Sequence, residues 1–239
     1  MVISDHTTKA FDIDLQELTR MVAEMGGLAE KQVADAVDAL ARRDTDRAQQ
    51  TVEADPEIDA LQAEIEEKAV LTIARRQPMA VDLREIVGAL RVSNDLERIG
   101  DLAKNIGKRV MALDGEFHPP KLIRGVEHMG SMVLVQLKEV LDSYARHDLK
   151  KALGVWNGDE EIDAMCTSLF RELLTYMMED PRNITFCIHL MFCAKNIERM
   201  GDHATNIAET VYYMIEGHAM ADQRRKGDTT AFATLAAEK

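Results

Sequence analysis

The sequence is poor in helix breakers and in the residues that build redox or metal cages. Five prolines and thirteen glycines in 239 residues leave long stretches uninterrupted, which disfavours a fold made of tight turns. Three cysteines, Cys166, Cys187 and Cys193, are odd in number and form no Cys-x-x-Cys pair. A disulfide framework or a structural zinc site is therefore not expected, and each cysteine reads as a small buried hydrophobe in an apolar stretch. No run of about 18 apolar residues is present to span a membrane. The opening segment, Met1 to Asp12, lacks the basic start and apolar centre of a signal peptide. A cytoplasmic location is the simplest expectation.

Basic residues are also in deficit. With 42 acids against 29 lysines and arginines the net charge is -13, so a face that would displace counterions from nucleic acid is not expected. Gly-x-Gly-x-x-Gly, Gly-x-x-x-x-Gly-Lys, Gly-x-Ser-x-Gly and His-Glu-x-x-His are all missing. None of the seven histidines has a Glu three residues before it, as a ferritin-like di-iron site would need. No catalytic constellation emerges, and an enzyme is not expected.

What is abundant is Ala, Leu, Glu, Met and Arg, strong helix formers because they lose little rotamer freedom in a helix. Apolar residues recur at helical spacing in six segments. The first runs from Leu15 to Ala41. The second starts at Pro56, with Asp55 as a capping acid, and ends at Gln77-Pro78, because the residue before proline avoids the helical region. The third spans Asp82 to Leu113. Asp114 to Pro120 reads as a linker, after which Val126–Tyr144, Glu160–Met178 and Arg182–Ile215 repeat the pattern. From His218 to Lys239 the periodicity is lost, as in a weakly ordered tail.

The second half repeats the first. A shift of 104 aligns Asp55-x-Glu57-Ile58-Asp59-Ala60 with Asp159-x-Glu161-Ile162-Asp163-Ala164, and likewise Asp44 with Asp148. A shift of 101 aligns Glu97-Arg98-x-Gly100-Asp101-x-Ala103-x-Asn105-Ile106 with Glu198-Arg199-x-Gly201-Asp202-x-Ala204-x-Asn206-Ile207. The implied fold is all-α: two tandem, pseudo-symmetric three-helix bundles packed side by side, residues 11–113 and 120–217, followed by the tail 218–239.

A single acid pair one helical turn apart is a solvated face until shown otherwise. Folding each hairpin about its proline gives the pairs more meaning. About Pro78, Asp55 comes level with Asp101 and Asp59 with Glu97. About Pro181, Asp159 comes level with Asp202 and Asp163 with Glu198. Four acids gathered in this way repel and raise one another's pKa values unless a cation neutralises them. Hard oxygen ligands suit magnesium, calcium, manganese or iron, and Asn105 and Asn206 could add carbonyls or orient the acids. Two other readings stay open: Asp55 and Asp159 as simple N-caps, and Arg98 and Arg199 as the partners of these acids. His203, whose first-half counterpart is Leu102, reads as incidental. The mid-helix Gly100 and Gly201 read as points of close helix approach.

The run Arg76-Gln77-Pro78-Met79-Ala80-Val81-Asp82-Leu83-Arg84, followed by Asp95-Leu96-Glu97-Arg98-Ile99-Gly100-Asp101, resembles the first-half signature of the PhoU family. Asn196-Ile197-Glu198-Arg199-Met200-Gly201-Asp202-His203-Ala204 resembles its second-half signature, and the resemblance covers Phe11 to Gly217. It implies two three-helix bundles, no intrinsic catalysis and a cytoplasmic, homodimeric regulator of phosphate uptake. Such a regulator couples the ATPase subunit of the phosphate ABC transporter to a sensor histidine kinase, and restrains the phosphate-starvation response when phosphate is plentiful. Contact with the membrane would come only through those partners. The resemblance also implies metal ions or clusters, of iron, manganese, magnesium or zinc, on Asp55, Asp59, Glu97 and Asp101 and on Asp159, Asp163, Glu198 and Asp202. One departure stands out: the second half has Glu179-Asp180-Pro181-Arg182-Asn183 in place of an Arg-Gln-Pro-x-Ala run. The alternatives are a metal-dependent phosphoester or pyrophosphate hydrolase, and a PhoU-like regulator of a different transporter.

Overall fold

A computed structural model describes residues 3–113 and 120–221, without the side chains of 3–10, 120 and 121. The linker 114–119 and most of the tail lie outside the described residues. Six long helices make up the described chain: α1 (Ile3–Arg42), α2 (Thr45–Arg76), α3 (Ala80–Ala112), α4 (Pro120–Arg146), α5 (Leu149–Glu179) and α6 (Ile184–Glu216), with a 3₁₀ turn at Pro181–Asn183 before α6. No strand occurs among the described residues. The fold is the all-α pair of three-helix bundles expected.

Helix starts differ from the expectation. α2 does not begin at Pro56. It begins eleven residues earlier, where the Asp44 carboxylate accepts a hydrogen bond from the Arg47 amide, and Pro56 sits inside the helix. A mid-helix proline removes one backbone hydrogen bond and costs about 3 kcal/mol, but Pro56 is exposed and the packing of α2 against α1 and α3 outweighs the loss. α5 likewise starts at Leu149, capped by Asp148 onto Lys151. The N-caps are therefore the repeat-related Asp44 and Asp148. Asp55 and Asp159 lie mid-helix and buried, which removes the capping explanation for both. α1 also extends further than expected, since Lys68 and Arg76 of α2 hold Asp14 at 3.0 Å and tie its early turns down.

The bundles meet along two antiparallel seams, α1 against α4 and α3 against α6. On the first seam a Cβ on Gly26 would lie 2.6 Å from Leu141, and one on Gly130 would lie 2.6 Å from Val37. These two contacts are related by the same shift of 104, so the seam is folded about a pseudo-two-fold axis. On the second, Arg91 stacks over Tyr213 at 5.0 Å and Arg109 over Phe192 at 4.1 Å. Buried apolar side chains from both halves merge into one cluster. The axis passes close to the levels of Gln32 and Gln136 and of Gly100 and Gly201, so both acidic segments lie near mid-height, back to back.

Candidate functional site

In the first half, Asp55 on α2 and Asp101 on α3 are joined by one lysine. Lys104 Nζ donates to Asp55 Oδ2 and to Asp101 Oδ1, each at 2.5 Å. The lysine sits level with Asp55, and Asp101 lies one turn back. Burial disfavours the charge of Asp101, but the Lys104 hydrogen bond and the nearby Arg98 hold its pKa below the usual carboxylate range. Lys104 is itself stabilised as an ammonium: burial opposes its charge, and its bonds to Asp101 and Asp55 overcome that. Glu97 has its pKa raised, first by burial and then by the charges of Asp101 and Asp59, with Arg98 at 3.2 Å opposing. Asp59 is exposed. All four acids are neighbours, and a protein cation already sits among them.

The second half differs. The position of Lys104 is taken by Thr205, whose hydroxyl lies 3.0 Å from the Gly201 carbonyl and 3.3 Å from Asp159 Oδ1, its one proton shared between the two acceptors. Asp159 and Asp163 are each 2% exposed and Glu198 5%. Burial pushes the Glu198 pKa up; Asp202 and Asp163 add to the rise, and Lys195, whose Nζ donates to Oε1 at 2.9 Å, opposes it. Glu198 Oε2 is buried with no hydrogen-bond partner.

Two glutamines complete the picture, and sequence reasoning missed both. Gln32 on α1 donates from Nε2 to the Thr51 carbonyl at 3.0 Å and to Asp55 Oδ1 at 3.5 Å. Its Oε1 faces Gly100, where a Cβ would stand 3.0 Å away. Gln136 on α4, its counterpart under the shift of 104, places Oε1 3.5 Å from the corresponding point on Gly201. Both Oε1 atoms are buried without a hydrogen-bond partner. The repeat shift pairs them in the sequence, but a glutamine in a helix gives no sign of pointing inward. His203 was also misread: its Nδ1 lies 2.8 Å from Asp95 Oδ1, with Asn206 donating to the same oxygen at 3.4 Å. It links α6 to α3 across the seam, and Asn206 serves that link as well.

Among the described residues, no three His, Cys, Asp or Glu side chains converge as a ready-made metal cage. Each half instead holds loosely gathered acids on two facing helices beside an inward glutamine.

This arrangement has known counterparts. The family model described as the PhoU domain matches twice, over residues 22–110 and 126–211, one match to each bundle. The chain belongs to the PhoU family. It is 59% identical over 226 residues to a Rhizobium meliloti protein named phosphate-specific transport system accessory protein PhoU homolog, covering 95% of each chain. A Caulobacter vibrioides protein of the same name is 53% identical, with 95% of this chain and 98% of that one covered. Among solved structures, PhoU from Pseudomonas aeruginosa superposes with a TM-score of 0.82 at 42% identity, over 87% of this chain and 100% of the other. The phosphate transport system regulatory protein PhoU from Streptococcus pneumoniae superposes at 0.81 and 27% identity, over 88% and 99%. The Glu-Arg-x-Gly-Asp parts of the two PhoU signatures lie on α3 and α6, the helices that carry Glu97 and Glu198 and that form the second seam.

Proposed function

We propose that this protein is a non-enzymatic cytoplasmic regulator of phosphate uptake and of phosphate-starvation signalling. In this reading it is an adaptor between the ATPase subunit of the phosphate ABC transporter and a sensor histidine kinase. The observation that carries the reading is the double PhoU match together with near full-length relatives named for the phosphate transport system. No helix among the described residues is long and apolar enough to cross a membrane, which suits a protein that reaches the transporter from one side. Deleting the gene should release phosphate-starvation genes from repression in phosphate-rich medium. The tagged protein should retain both the ATPase and the kinase on pull-down. Normal repression in the deletion strain, with neither partner retained, would overturn the proposal, and a deletion phenotype confined to another transporter would redirect it.

The metal expectation becomes a proposal about one half. In the first half Lys104 neutralises Asp55 and Asp101 as a bound cation would, so the fit is poor. In the second half Asp159, Asp163 and Glu198 are buried without that lysine, and the Glu198 Oε2 and Gln136 Oε1 atoms lack partners. Uncompensated buried oxygens of this kind suit a hard cation such as manganese, magnesium or iron. Asp159, Asp163, Glu198 and Asp202 would hold it, and it would supply charge neutralisation and a clamp between α5 and α6. Binding to the folded state alone stabilises by mass action, so manganese or iron should raise the melting temperature. Asp163→Asn should abolish the rise. A hydrolase is less well supported, since Asp159 and Asp163 are too deeply buried for a phosphoester to reach them.

A further inference from the structure

Taking an amide oxygen out of water without giving it a partner is costly, so an orphan in a packed interior calls for an explanation. Gln136 on α4 is 8% exposed, and its Oε1 is buried with no hydrogen-bond partner. The matching Gln32 of the first bundle is anchored at its other end, since its Nε2 donates to the Thr51 carbonyl and to Asp55 Oδ1. Under the shift of 104 those partners become the Val155 carbonyl and Asp159. Gln136 bonds neither, and among the described residues it makes no hydrogen bond.

The orphan oxygen borders the hollow left by the missing side chain of Gly201. Gln136 Oε1 and Asp159 Oδ1 lie 3.5 and 3.7 Å from where a Cβ would stand, with Ile162 Cδ1 at 3.4 Å on the apolar side. Around Gly100 the matching walls stand closer, with Gln32 Oε1 and Ile58 Cδ1 each at 3.0 Å. The first bundle also carries its own cation, since Lys104 bridges Asp55 and Asp101. The second has Thr205 in that place, its hydroxyl 3.3 Å from Asp159 Oδ1. Lys195 is no interior replacement, because it meets Glu198 Oε1 with a side chain that is 42% exposed. An amide carbonyl, carboxylates and a hydroxyl form an all-oxygen set, the kind that hard cations take.

We infer that Gln136 Oε1 is a further protein ligand of the cation in the second bundle, beside Asp159, Asp163, Glu198 and Asp202. The inference rests on the metal reading of that bundle and deepens it. Ligands on α5 and α6 alone make a clamp between two helices, whereas a ligand on α4 joins all three helices of the bundle. Since α4 also meets α1 on the first seam, cation loading then bears on the contact between the bundles. Gln32 has a different role: its amide ties α1 to α2 as scaffold, and Lys104 supplies the charge.

The test compares Gln136→Leu, Gln136→Glu and Gln32→Leu in the full chain, by thermal denaturation across a manganese titration. Gln136→Leu deletes an unsatisfied amide, so the metal-free melting temperature should hold or rise, while the apparent Kd for manganese should increase roughly tenfold or more. Gln136→Glu, which restores an oxygen, should bind manganese at least as tightly as the wild type. Gln32→Leu should lower the metal-free melting temperature, through its lost bonds to Thr51 and Asp55, and leave manganese affinity unchanged. Hydrogen exchange gives a second reading: manganese should protect the α4 amides around Gln136 in the wild type and not in Gln136→Leu. Wild-type manganese affinity in Gln136→Leu, or a metal-free melting temperature that falls as in Gln32→Leu, makes Gln136 a scaffold residue and overturns the inference. A Gln136→Glu protein that binds no better than Gln136→Leu overturns it as well. If Asp163→Asn still abolishes the manganese response in those cases, the metal reading stands without Gln136. If the wild type itself does not respond to manganese, the metal reading falls and takes the inference with it.

Discussion

The two bundles share a backbone and differ in their charges. Both have an aspartate cap onto the third residue of the second helix, an inward glutamine, a mid-helix glycine and a Glu-Arg-x-Gly-Asp segment. At the acidic site, however, Lys104 faces Thr205, and the exposed Asp59 corresponds to the buried Asp163. Elsewhere, Glu66 corresponds to Phe170 and, on the α3–α6 seam, Arg91 to Phe192. The scaffold residues match because one packing geometry was duplicated, and geometry tolerates little change at close contacts. Side chains that do not set the packing were free to diverge. One half holds a lysine among its acids, and the other has a threonine in that place beside more deeply buried acids.

The sharpest way to break that contrast is to remove the internal cation. Lys104→Met leaves Asp55 buried beside Asp101 with nothing between them, and stripping one partner from a buried pair costs about 3 kcal/mol. The urea midpoint should fall accordingly, whereas Thr205→Val, which keeps the volume and loses only the hydroxyl's contacts to Asp159 and the Gly201 carbonyl, should cost about half as much or less. Equal losses would mean that the two sites are energetically alike.

The converse exchange follows. Thr205→Lys should place an ammonium beside Asp159 and abolish stabilisation by manganese, which in the wild type should reach about 2.7 kcal/mol at a hundredfold excess over Kd. Thermal denaturation with and without manganese reads this directly. A manganese response that survives in Thr205→Lys, or that moves to the first half in the wild type, would reverse the assignment.

The glycines give a smaller effect of opposite sign in the two halves. A Cβ on Gly201 meets nothing nearer than 3.4 Å, while one on Gly100 meets Gln32 Oε1 and Ile58 Cδ1 at 3.0 Å. Gly201→Ala should therefore gain most of the helix-propensity difference, about 1 kcal/mol. Gly100→Ala should gain nothing or lose stability, as chemical denaturation will show.

The smallest effect concerns pH. Burial raises the Glu198 pKa above its unfolded value, so the ionised form destabilises the metal-free protein. That penalty is complete above the folded pKa and disappears below the unfolded value of about 4.3. Glu198→Gln should stabilise the metal-free protein slightly at neutral pH and lose that advantage on acidification through this window. Glu97→Gln should show less, since Arg98 already offsets the charge of Glu97. A pH-independent difference would mean that the cause is not ionisation.

Much of this was legible in the residues. The six helices, the duplication and the two acidic neighbourhoods followed from 3.6-residue periodicity and from identities in polar segments. The helix starts were not, because Pro56 looks like a first-turn proline until the packing of α2 shows the helix running through it from the Asp44 cap. The difference between Lys104 and Thr205 is visible in the aligned repeat. Its meaning depends on which way a side chain four residues from Gly100 points, and one-dimensional spacing does not carry that. Phe192 is a similar case, since it looks like core until the structure shows it half exposed under Arg109.

By itself, then, the sequence determined what local physics controls: helix content, the two-fold repeat and the family to which the repeat belongs. The tertiary structure decided what depends on the relation between helices. It buried Asp55 and Asp159 in mid-helix, put an ammonium between two acids in one bundle and a hydroxyl in the other, and turned His203 across the seam to Asp95. Periodicity fixes which face of a helix is apolar, but only the packed neighbour determines what each polar side chain on the boundary will meet.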